Sequence, residues 1–156
     1  MKKFRPRRGL VAAILAALLV AAAVAVVEEA YREAREHHCR AVVIATQANV
    51  FDEEHAGLPA YVEVFTPLVR VLAQQSSRFD GQTHLLNGDS HVFGFGRPLA
   101  AGSPWPARYG VEQGQAVRQV TVDGAQNSRS FLRLTIEPDA TGEVLTWERV
   151  PYKALG

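Results

Sequence analysis

The stretch Thr83-His84-Leu85-Leu86-Asn87-Gly88-Asp89-Ser90-His91-Val92-Phe93 reads as a short apolar strand that breaks at a glycine. Gly88 lets the backbone turn sharply without a Cβ clash, and Asp89 and His91 then stand two residues apart in a polar turn. A carboxylate and an imidazole mounted at a strand end have two readings. One is a hairpin turn with a solvated Asp and a hydrogen-bonded His. The other is a pair that binds a metal or moves a proton.

Upstream, Asp80-Gly81 makes the turn into this strand. Before it, Pro59 suits the first turn of a helix, and Val62, Phe65, Val69 and Leu72 recur at helical spacing to give it a core face. Pro67 lies inside that pattern, where a kink or break is expected. Residues 47–58 form a polar loop with Asn49, Asp52, Glu53, Glu54 and His55, either a solvated run or a cation site. Ala41-Val42-Val43-Ile44-Ala45 is continuously apolar, which suits a strand buried on both faces. Residues 28–38 (EEAYREAREHH) are helix formers with acidic residues at their start. Helix, strand, loop, helix, strand is the order of a layered α/β fold.

Downstream the texture changes. Gly94, Gly96, Pro98, Gly102, Pro104 and Pro106 mark a long irregular loop holding Trp105. Residues 117–123, 131–137 and 143–150 then alternate with the period of half-buried strands, and residues 138–142 (PDATG) turn between the last two. These three strands are expected to close a sheet in antiparallel order.

At the other end, residues 10–27 are Ala, Leu, Val and Ile without a charge, behind Lys2, Lys3, Arg5, Arg7 and Arg8. The segment fits a cleaved signal peptide, with Ala21-Ala22-Ala23-Val24-Ala25 offering the small residues of a cleavage site, or an uncleaved membrane anchor. Eighteen helical residues span roughly 27 Å, between the two classes. Either way the basic end stays cytoplasmic and the rest is exported, to the periplasm or outside, or held at the inner membrane. The remaining residues 28–156 suffice for one domain. A net charge of +1 offers no nucleic-acid surface. The single cysteine, Cys39, excludes an intrachain disulfide and reads as a buried, inert thiol.

Several pieces together resemble the C-terminal half of a calcineurin-like metallophosphoesterase of the bacterial exported branch. They are EEAYREAREHHCRAVVIATQANVFDEE, THLLNGDSHVF, RPLAAGSPW, VRQVTVDGAQNSRSFLRLTIEP and VLTWERV, which cover roughly residues 28–150. The resemblance implies part of a layered α/β sandwich with metals at the strand ends. It implies phosphoester hydrolysis in which two divalent cations (Mn, Fe or Zn) clamp the phosphate and activate a water. His91 matches the final histidine of the family's last metal loop, and Asp89 stands where that loop carries another histidine. Gln47 or Asn49 stands where the preceding motif offers a histidine. Of the family's early motifs, Gly-Asn-His does not occur in this sequence, its only Gly-Asp is Gly88-Asp89, and its only Asp-x-His is Asp89-Ser90-His91, inside the stretch that matches the last metal loop.

One zinc in a catalytic site usually takes at least three protein ligands. The expectation is therefore a truncated phosphoester hydrolase domain, weak or inactive alone. The alternative is a non-catalytic exported or membrane-tethered α/β binding module. Half of a layered sandwich exposes strand edges and a sheet face, so self-association or a second chain completing the sheet is also expected.

Overall fold

The computed structural model describes residues 8–114, 117–124 and 129–152, with side chains from Leu19 onward. The chain is mixed α/β. Helix α1 (Arg8–Glu36) leads into strand β1 (Ala41–Thr46), helix α2 (Pro59–Ser77) and strand β2 (Gln82–Asn87). A short strand β3 (Gly94–Gly96) and a five-residue helix α3 (Trp105–Tyr109) follow, then β4 (Val117–Thr121), β5 (Ser130–Ile136) and β6 (Leu145–Pro151).

The main sheet has the order β1-β2-β4-β3. Strands β1, β2 and β4 are parallel, and β3 runs antiparallel to β4. Strands β5 and β6 form a separate antiparallel pair. The expected antiparallel closure of the last three strands is therefore corrected, because β4 joins the parallel sheet beside β2. Residue alternation is common to both pairings and does not distinguish them. The irregular loop expected after Gly94 also contains β3 and α3.

Register places Val42, Thr83 and Val117 side by side on one face of the sheet, all buried. Helices α1 and α2 pack on this face. Tyr31 of α1 is wholly buried, donates or accepts a 2.8 Å hydrogen bond with Thr83 Oγ1, and meets Phe79 edge to face. The expected core side of α2 is present: Val69 and Leu72 are buried, and Val62 and Phe65 pack against the core. The helix continues through Pro67, so the expected break does not occur. Arg32 of α1 lies within ion-pair distance of Glu29, Glu33 and Glu36 on the solvent side.

The opposite face carries Val43, His84 and Arg118 in one row. The loop leading into β6 lies over part of it through polar contacts. Arg40 donates to the carbonyls of Pro138 and Ala140. Gln82 donates to the Gly142 carbonyl at 3.0 Å and accepts from the Val144 N–H at 3.2 Å. Arg118 pairs with Glu143 at 2.9 Å. On the β1 side this face is open: Val43 is 43% exposed and Ala45 is exposed. Strand β1 is thus an edge strand buried on one face, which corrects the expectation of burial on both.

Cys39 is exposed in the turn between α1 and β1, against the expectation of a buried thiol. Helix α1 runs on without interruption from the apolar segment into residues 28–36. Burial begins at Val27, while Leu19 and Val26 are exposed. Among the described residues no helix is long and apolar enough to cross a membrane. Of the anchor or signal expected over 10–27, residues 10–18 lie where side chains are not described.

Candidate functional site

Thr46, Asn87 and Thr121 are neighbours in register at the carboxyl ends of three parallel strands. The loops that leave them start from one edge of the sheet, the place where open α/β sheets bind ligands. Two backbone hydrogen bonds draw these loops together. Gly88 N–H donates to the Gln47 carbonyl at 3.1 Å, and Val122 N–H donates to the Asn87 carbonyl at 2.8 Å.

A network of side-chain amides forms the floor. Gln119 Nε2 donates to Asn49 Oδ1 at 2.8 Å and to Asn87 Oδ1 at 3.0 Å. Thr121 Oγ1 adds a bond to Asn87 Oδ1 at 3.3 Å. Asn49 Oδ1 also accepts the Phe51 N–H at 3.2 Å, and its Nδ2 donates to Ser90 Oγ at 3.1 Å. Buried amides need such partners, because an unmade bond there costs roughly 1–3 kcal/mol. Asn49 is therefore a brace between the loop after β1 and the loop after β2.

The loop after β1 is less solvated than its composition suggests. Val50, Phe51 and Asp52 are buried. Phe51 packs edge to face on Trp105 and Tyr109 of α3, and Tyr109 Oη donates to the Val50 carbonyl at 2.5 Å. Burial pushes the Tyr109 phenol pKa up. Tyr61 of α2 donates to the Asn49 carbonyl and accepts the Asp52 N–H at 3.4 Å. Burial likewise pushes its pKa up to about 12.

On this base stand the titratable groups. His55 Nδ1 is 2.9 Å from Asp52 Oδ2, and its ring stacks on Tyr61. The hydrogen bond to Asp52 raises the His55 pKa above its ordinary value, and the charges of Glu54 and Asp89 pull it the same way. The Asp89 charge also acts on Tyr61, which places its carboxylate near the Asp52–His55 pair.

The loop after β2 turns in an unexpected way. The left-handed backbone sits at Asp89 (φ 66°) and His91 (φ 56°), not at Gly88. A Cβ at Gly88 would meet only ordinary contacts, the nearest at 3.8 Å. A non-glycine residue in this region costs about 1–2 kcal/mol, and such strain gathers at functional sites. The glycine that the His91 conformation requires is Gly124, after β4, where a Cβ would lie 2.4 Å from His91 Nδ1. That requirement is invisible in sequence because it spans 33 positions and two strands.

Of the four residues expected as metal ligands, Asp89 and His91 are exposed on the β2 loop, and Gln47 is exposed at the end of β1. Asn49 is buried, and its amide oxygen already accepts two hydrogen bonds. The carboxylate of Asp52 serves His55 and the Glu54 N–H. Among the described residues no group of three His, Cys, Asp or Glu side chains comes together to hold a metal ion. The donor set of this chain alone therefore does not fit a tightly bound catalytic cation. The carboxylates near His55 can attract a cation but not enclose one.

Neither a protein-family model, a curated protein nor a solved structure matches the chain.

Proposed function

We propose that this chain is the late half of a metallophosphoesterase-type phosphoester hydrolase domain, inactive by itself, and that Asp89 and His91 are its contribution to a divalent-cation site. The supporting observation is the backbone of the β2 loop. Two side chains able to bind a cation, in left-handed conformations at a strand end and on a loop braced by Asn49, place backbone strain where strained residues gather at functional sites. The remaining ligands belong to groups outside this sequence, whose only Asp-x-His is Asp89-Ser90-His91 itself and which contains no Gly-Asn-His. The substrate class is a phosphoester. The apolar start of α1 is an export signal or membrane anchor, and the domain acts beyond the cytoplasmic membrane.

The test is thermal unfolding with Mn²⁺, together with assay of an aryl phosphate. The reading predicts no turnover by the chain alone. It predicts weak stabilisation, on the order of 1.4 kcal/mol at a metal concentration ten times a millimolar Kd, that disappears in His91→Ala. EDTA-sensitive turnover by the chain alone would overturn the half-site. Stabilisation unchanged in His91→Ala would overturn the ligand assignment.

A second reading, a non-catalytic α/β binding module, is favoured by one observation. Strand β1 (AVVIAT) is an edge without charge, proline or bulge, and the face beside it is open at Val43. Self-association or pairing with a second chain along β1 is the expected consequence. Concentration-dependent sedimentation of the wild type, abolished in Val43→Lys, would support it.

A further inference from the structure

Where the loop after His91 passes β4 lies a cavity of about 430 Å³ lined by Val92, Phe93, Asp123, Arg129 and Arg149. Its chemistry is opposite in sign to that of the carboxylates near His55. Asp123 is nearly buried and is spent: its Oδ2 accepts from Ser130 Oγ at 2.5 Å and from Arg149 Nε at 2.8 Å, and lies 2.6 Å from Arg149 Nη2. Arg149 is thereby fixed with its guanidinium over the Phe93 ring, 5.0 Å from the centroid. Trp147 packs on Phe93 from β6. Among the described residues Arg129 has no carboxylate partner, so the cavity carries one arginine beyond what Asp123 neutralises.

We infer that this cavity is a phosphoryl-anion subsite, in which Arg129 supplies the free charge and Arg149, held by Asp123 and Ser130, supplies a fixed edge. Planar guanidinium groups match phosphate oxygens, and one pre-oriented arginine lowers the ordering cost of the pair. Phe93 and Val92 form the apolar wall against which the ester's organic group would rest. The inference names the substrate side of the proposed phosphoester site and rests on that reading.

The test uses the full chain in EDTA, titrated with inorganic phosphate at constant ionic strength. The indole N–H of Trp147 and the Nε–H of Arg149 are followed by NMR. Saturable shifts of both are expected, with affinity at least tenfold weaker in Arg129→Ala and recovered in part in Arg129→Lys. Equal affinity in Arg129→Ala, no saturable shift, or the same shift with chloride would overturn it. Metal is absent throughout, so failure of the Asp89–His91 cation site leaves this result untouched, and failure here leaves that site standing.

Discussion

The two faces of the main sheet are held by different physics. The face of Val42, Thr83, Leu85 and Val117 is closed by α1 and α2 through apolar packing, with the Tyr31–Thr83 bond set inside it. The face of Val43, His84 and Arg118 is closed only in part, by a loop that grips through arginine, glutamine and backbone carbonyls. His84 is 2% exposed, and among the described residues neither its Nδ1 nor Arg118 Nη1 has a hydrogen-bond partner. The first face anchors the domain. The second is a latch sensitive to charge.

The largest effect is expected from Leu85→Ala on the helical face, which should cost about 2–5 kcal/mol in denaturant unfolding. The matching change on the open face, Val43→Ala, should stay within about 0.5 kcal/mol. Similar losses at the two positions would abolish the contrast. Tyr31→Phe leaves the Thr83 hydroxyl buried without its partner and should cost roughly 1–3 kcal/mol.

Acid should act on the latch. Burial, together with the nearby Arg118 charge, holds the His84 pKa below its ordinary value of 6.5. Its contribution to stability is whole above pH 6.5 and is lost as pH falls from 6.5 through the folded value. His55 has the opposite sign: Asp52 raises its pKa, so its contribution is whole below pH 6.5 and is lost as pH rises through its folded value. Hydrogen exchange below pH 6 should rise in residues 138–145 before it rises in α1 or α2. His84→Leu should flatten that response, and an unchanged acid response would contradict the latch. Smallest of all, loss of the exposed Arg32 ion pairs in Arg32→Ala should leave the unfolding of both faces unchanged, because exposed pairs are screened by solvent and salt.

The same division marks what the sequence discloses. Helical spacing exposes the core side of α2, and short apolar runs disclose β1 and β2, because local periodicity carries burial. The parallel placement of β4 is not local information. Strand β3 has two glycines and one side chain, Phe95, and so no period to read. At the site, Asp89 and His91 are legible as chemistry-bearing residues on a strand end. The Gln119–Asn49–Asn87 network and the fit of His91 against Gly124 are not, since each depends on which strands lie side by side.

The central claim is that Asp89 and His91 form one edge of a cation site at the carboxyl ends of β1 and β2. Paramagnetic broadening by substoichiometric Mn²⁺ tests it most directly. The account predicts broadening centred on residues 89–91 and on Asn49 across the brace, removed by Asp89→Ala. Broadening spread evenly over the acidic surface, or unchanged in Asp89→Ala, would contradict it.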